Sequence, residues 1–191
     1  MSGSSTSLAT LTVVAGRFER AGAVARPLAA LSGLGLSTYT AALLTNTAVP
    51  VWHEARRTLP FVFAAGAALS AGAACTAATP VASAGGARRL AVTAAACELA
   101  ATEVMRRRLG MHAEVYRSGG AGRYARIASA CIGAGAGLMS WCGARNRGAA
   151  VAAGALMCAG ALATRWSVFT AGTQSAADPR YVVEPQRRRL D

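Results

Sequence analysis

Ser37-Thr38-Tyr39-Thr40-Ala41-Ala42-Leu43-Leu44 leads through Thr45-Asn46 into Thr47-Ala48-Val49-Pro50-Val51-Trp52-His53-Glu54-Ala55-Arg56-Arg57. Leu59-Pro60-Phe61-Val62-Phe63 then opens a second apolar run. Pro50 lacks an amide hydrogen and stops the first run, whereas Pro60 falls in the first turn of the second, where a proline is tolerated. The stretch therefore reads as apolar helix, polar and aromatic surface loop, apolar helix. No run alternates with period two, so strands are not indicated.

Working outward, the same pattern recurs. Leu28 to Val49 is the first spanning candidate and Leu59 to Thr79, closed by Pro80, is the second. Leu90 to Met105 is the third; it is short and carries Glu98 and Glu103. Arg126 or Ile127 to Cys142 and Ala149 to Phe169 are the fourth and fifth. A bilayer span needs roughly 20 apolar residues. The predicted fold class is an all-α polytopic transmembrane helical bundle of about five spans. Residues 1–26 form a polar N-terminal segment with a short apolar run, 27–170 the bundle, and 171–191 an arginine-rich cytoplasmic tail. Leu8 to Ala15 is too short to span and lacks the basic start of a signal peptide.

Composition agrees. Hydrophobic residues make up 53% of the 191 and charged residues 15%, which strains a soluble reading. All 20 basic residues are arginine, and the net charge is +12. The arginines flank apolar runs and form no basic helix face, so they read as partners of lipid headgroups, and no nucleic acid is expected. Five spans would put Arg56, Arg57, Arg106, Arg107, Arg108, Arg117, Arg123, Arg180, Arg187, Arg188 and Arg189 on one side. Arg17, Arg20, Arg26, Arg88, Arg89, Arg145 and Arg147 would lie on the other. The excess places the C-terminus in the cytoplasm.

The helices are rich in alanine and glycine, which favours close helix packing. Gly133 and Gly137 form a G-x-x-x-G, and Gly66 with Ser70 a small-x-x-x-small pair; either marks docking or simply reflects composition. The five cysteines, Cys75, Cys97, Cys131, Cys142 and Cys158, are scattered, so no metal site and no iron–sulfur cluster is expected. The two histidines, His53 and His112, fall in expected loops, which argues against a b-type haem.

Tyr39, Trp52 and His53 are the groups best suited to hold a small aromatic or quinone-like ligand near a membrane surface. A buried tyrosine hydroxyl seeks a hydrogen-bond partner, either a ligand carbonyl or a neighbouring helix. Trp52 also fits an interfacial anchor. His53 carries an imidazole, which suits a proton relay, or is a solvated loop histidine. Asn46 could bond a ligand or cap its helix. Glu103 lies four residues before Arg107, a sufficient structural explanation. Glu98 has no such partner in sequence and is the better candidate for a proton path.

The Tyr39-Thr40 pair, Pro50-Val51-Trp52 and Leu59-Pro60-Phe61-Val62-Phe63 resemble the polysulphide reductase membrane subunit (NrfD) family. The later stretch Arg165-Trp166-Ser167-Val168-Phe169-Thr170-Ala171-Gly172, with Asp178-Pro179-Arg180-Tyr181 and Pro185-Gln186-Arg187, resembles that family's closing segment. The resemblance covers roughly residues 27–191. It implies a quinone-interacting membrane anchor of a multi-subunit oxidoreductase in the cell membrane, multi-pass and not catalytic alone. It implies menaquinone or ubiquinone at Tyr39, Asn46, Trp52 and His53, with His53 and Glu98 on a proton path. Asn46 stands where the resemblance implies an acidic residue. The implied partners are an iron–sulfur subunit and a molybdopterin oxidoreductase subunit. Family members have more helices upstream, so the chain reads as the later part of the pattern. The alternative is a structural membrane scaffold that binds partner helices.

Overall fold

A computed structural model describes residues 19–181 and 183. The run Leu8 to Ala15, Arg17 and the tail from Glu184 lie outside the described residues. The described chain is all-α, with no strand among its residues. In order, it comprises α1 (Glu19–Thr45), α2 (Pro50–Glu54) with a 3-10 turn over Ala55–Arg57, and α3 (Leu59–Ala78). After them come α4 (Gly85–Arg108), a 3-10 segment over Gly110–Tyr116, α5 (Gly119–Trp141) and α6 (Arg147–Ala177).

The helix ends follow the punctuation of the sequence. Pro50 and Pro60 each sit in the first turn of a helix. Asn146 caps α6, its side-chain oxygen accepting from the Ala149 amide at 3.3 Å. α6 runs through residue 170 to Ala177, so the boundary expected there falls inside a helix. The expected surface loop after Pro50 is also helical, and it folds inward. Its side chains Val51, Trp52 and Ala55 are buried.

α5 and α6 form one antiparallel hairpin and α3 and α4 another; α3 joins the two by packing on α6, and α1 lies against α3. Small residues let backbones approach. An added Cβ on Gly72 would stand 2.6 Å from the Ala91 amide nitrogen, and one on Gly160 would stand 3.0 Å from that of Ile132. A Cβ on Gly133 or Gly137 would meet nothing within 4 Å, so the G-x-x-x-G takes no part in packing among the described residues. Gly66 does, as described below.

The core has two parts. One joins Trp52, Leu59, Phe63, Met105, Leu109, Tyr116, Val168 and Tyr181, which gathers α2, the 3-10 segment and the chain's last described turn at one end. The other holds Leu69, Ala91, Ala95, Ile132, Met139 and Met157. At the far end Arg147 donates to the carbonyls of Thr79 at 2.7 Å and Ala77 at 2.9 Å. It thereby satisfies carbonyls that α3 leaves open at its C-terminus. Arg147→Ala is expected to lower stability by about 1 kcal/mol. Arg147→Lys, lacking the planar fork, should recover little of it. Thermal midpoints in detergent check both.

α3 and α6 are long and apolar enough to cross a membrane by length and composition. Only 39% of the apolar window of each is buried. A core helix of a soluble protein would be mostly buried; here Phe61, Leu162, Trp166 and Phe169 point outward. α1, α4 and α5 do not reach the same standard. In α4 the reason is charge: Arg88, Arg89, Glu98, Glu103 and three terminal arginines share 24 residues.

Candidate functional site

α4 buries Glu98 at its middle, 1% exposed. Alanines surround it on its own helix face, and α3 turns Gly66 toward it. The position of a Cβ on Gly66 lies 3.2 Å from Glu98 Oε1 and 3.2 Å from Arg165 Nη1. A side chain there would push on both groups, so glycine lets the three helices converge. Sequence alone left Glu98 without a partner. Its partner is Arg165, from α6 and 67 positions away, with the Thr164 hydroxyl beside it.

The pair stops short of a direct bridge. Among the described residues the contact ion pairs are Glu103 with Arg106 and Arg107, and Asp178 with Arg180. Neither Glu98 oxygen makes a well-formed hydrogen bond. Thr164 Oγ1 donates instead to the Gly160 carbonyl at 3.2 Å. Arg165 donates to the Ala161 carbonyl at 3.1 Å, and its guanidinium lies 5.6 Å from the centre of the Phe63 ring. What offsets the burial of Glu98 is the nearby Thr164 hydroxyl and, beyond it, the charge of Arg165.

Arg165 also reaches an opening. A lateral groove of about 290 Å³ lies between α1, α3 and α6. Leu36, Leu44, Phe63 and Ala67 make its walls apolar; Ser37, Thr40 and Arg165 supply the polar groups. Among the described residues, Arg165 is the only charged one lining it. A small apolar cleft with a few convergent donors is the usual form of a small-molecule site. Below Arg165 a second space of about 20 Å³ is lined by Thr164, Ser167, Ser129 and Tyr116 among others. That is room for a single water molecule. The Tyr116 hydroxyl is buried without a protein partner, and burial pushes its pKa well above the ordinary value.

The residues singled out in the opening stretch are spread apart. Tyr39 lies on the outer side of α1, 57% exposed, while its neighbour Thr40 lines the groove. Asn46 is exposed just past the end of α1. His53 is exposed on α2. Trp52 is not an interfacial anchor: its side chain is buried, Nε1 donates to the Val168 carbonyl at 2.9 Å, and the ring lies on Gly172. His112, expected in a loop, is buried in the 3-10 segment, where Nε2 approaches the Tyr181 carbonyl at 3.3 Å and ties down the last described turn. Among the described residues no group of three or more metal-ligating side chains comes together.

Arg165 had a usable signal. It is a charge inside the apolar run Ala149 to Phe169, the same criterion that singled out Glu98. Thr40 and Ser37 had none, because a helical hydroxyl can bond its own backbone.

Fold and site together define an all-α bundle with a buried carboxylate near a half-buried guanidinium, a lateral groove, and two helices of membrane-spanning length and composition. Comparison with known protein families, curated proteins and solved structures finds no match for this chain.

Proposed function

We propose that this protein is a multi-pass membrane subunit that binds a quinone in the groove beside Arg165, and that it serves as the quinone-reactive anchor of a multi-subunit oxidoreductase. The observation that carries the reading is the groove itself: apolar walls, two hydroxyl-bearing side chains and one guanidinium, open to the side of the bundle. A quinone is a flat ring with two carbonyl acceptors and a greasy tail. Arg165 would donate to a carbonyl, Phe63 would flank the ring, and the tail would leave between α1 and α3 into lipid. The resemblance of the opening and closing stretches to the NrfD family supports the same ligand, menaquinone or ubiquinone. It also supports an iron–sulfur subunit and a molybdopterin subunit as partners.

The site moves accordingly. Of the residues first singled out, Glu98 keeps its role, as the carboxylate behind Arg165 that would accept a proton during quinol oxidation. Tyr39, Asn46 and His53, all exposed, would act on a partner or at the membrane surface, and Trp52 is structural. All five long helices are taken to cross the bilayer, with the charged residues of α4 turned to the bundle or to its ends.

The test is binding of a quinone photoaffinity analogue to the protein in its native membranes, partners included. Ala67→Leu, which fills the groove without touching the charge pair, should abolish labelling. Thr40→Val should weaken binding roughly three- to tenfold, the value of one hydrogen bond. Labelling that is absent in the wild type, or unchanged in Ala67→Leu at equal expression, overturns the proposal in favour of a scaffold.

A further inference from the structure

A second groove, of about 310 Å³, lies at the arginine-rich end between the start of α3 and the last turns of α4. Its floor is Phe61, Ala100, Ala101 and Val104, and Arg57 and Arg108 stand at its rim. Both arginines are exposed, and among the described residues no carboxylate lies within ion-pairing distance of either. The nearby Glu103 is already held by Arg106 and Arg107, both at 2.8 Å. No acidic side chain among the described residues lines the groove. Two guanidiniums without an acidic partner among the described residues therefore stand over an apolar trough, 69% exposed at Phe61.

We propose that this groove is a binding site for one anionic phospholipid, its phosphate between Arg57 and Arg108 and an acyl chain along Phe61, Ala101 and Val104. The inference rests on the membrane reading above, but not on quinone binding. The chemistry is complementary in both parts. Guanidinium donors match phosphate oxygens in geometry and charge. The floor is made of small and apolar groups on the outer sides of two helices, where an acyl chain would lie in any case. An acidic peptide would satisfy the arginines and leave that floor uncovered. The position also fits. The rim belongs to the end where Arg56, Arg106, Arg117 and Arg123 gather, the end expected in the cytoplasm. The inner leaflet there carries the anionic lipids, which attract juxtamembrane basic groups.

The experiment is native mass spectrometry of detergent-purified protein titrated with dioleoyl phosphatidylglycerol or dioleoyl phosphatidylcholine. The wild type should retain phosphatidylglycerol in clear preference. The double substitution Arg57→Gln/Arg108→Gln should lose about tenfold in that preference, the effect of removing paired contacts to one phosphate. Arg89→Gln/Arg145→Gln removes the same charge from the opposite end and should leave the preference unchanged. Equal retention of both lipids by the wild type, or equal loss in the two double variants, overturns the site. Displacement of the lipid by millimolar inorganic phosphate would mean a free-anion site and overturns the lipid assignment. A carbonate wash of native membranes separates the two levels. Protein released by the wash defeats the membrane reading; protein that stays but shows no preference defeats this site alone.

Discussion

Trp52→Ala will cost about 3–5 kcal/mol of stability, the range for removing a large buried aromatic ring. The indole does more than fill space. Its Nε1 donates to the Val168 carbonyl at 2.9 Å, so α2 is pinned to α6 by a buried hydrogen bond across 116 positions. Gly172 makes the approach possible. It lies four residues beyond Val168, on the same helix face, and a Cβ there would overlap the indole ring. Gly172→Ala should therefore destabilise by about 1–3 kcal/mol through overpacking. The two changes share one contact and should not add. Trp52→Phe narrows the ring, so Trp52→Phe/Gly172→Ala should lose less than the sum of the single variants. The check is a double-mutant cycle on thermal or denaturant midpoints in detergent. Additive losses would mean that the ring and the glycine do not bear on each other. Loss of Trp52 should also loosen the whole arginine-rich end, because Tyr116, Tyr181 and Leu109 share its core.

That contact also marks where sequence reading stopped. Proline placement was readable, and with it the break before Pro50 and the start of α3, though not the short helix α2 that Pro50 opens. A tryptophan just after a helix-ending proline suggests a membrane interface, and only the glycine on α6 reveals a cavity waiting for it. Helix faces were unreadable for a related reason. In an amphipathic helix, polarity tells the outer face from the inner. Here both faces of most helices are alanine and glycine, so Gly133 and Gly137 were as plausible a packing face as their neighbour. A single residue step turns a helix by about 100°. Gly135 is at the contact, where a Cβ would meet the Met157 side chain, while Gly133 and Gly137 face outward. The order of five long helices came through because it depends on runs of apolar residues alone; their lengths did not, since α4 spans Gly85–Arg108 where Leu90 to Met105 was expected and α6 spans Arg147–Ala177 where Ala149 to Phe169 was. Which groups meet in the site did not, since Glu98, Arg165 and Gly66 come from three helices and no local spacing links them.

Arg165→Leu will destabilise the bundle by about 1–3 kcal/mol, because the buried Glu98 carboxylate loses the nearby guanidinium. Glu98→Leu should do the same to Arg165, though less fully, since the guanidinium can turn further toward the groove. The double variant Glu98→Leu/Arg165→Leu removes both charges. Replacing a buried ion pair by apolar residues is often neutral or stabilising. It should therefore recover most of the wild-type midpoint. Gly66→Ala presses on the pair from α3, at 3.2 Å from each partner, and should be mildly destabilising in the wild type. The double variant also separates structure from function. Folded and of normal yield, it lacks the Arg165 guanidinium that lines the groove. If Arg165 donates to a quinone carbonyl, analogue binding should fall roughly tenfold or more, since hydrogen bonds to charged groups are among the stronger ones. Binding that survives in a well-folded double variant would make the Glu98–Arg165 pair a device for joining α4 to α6 and nothing more. Loss of folding in the double variant would mean that the pair is coupled to its neighbours beyond charge. In that case Glu98→Gln/Arg165→Gln, which keeps hydrogen-bonding capacity and side-chain bulk, carries the binding test.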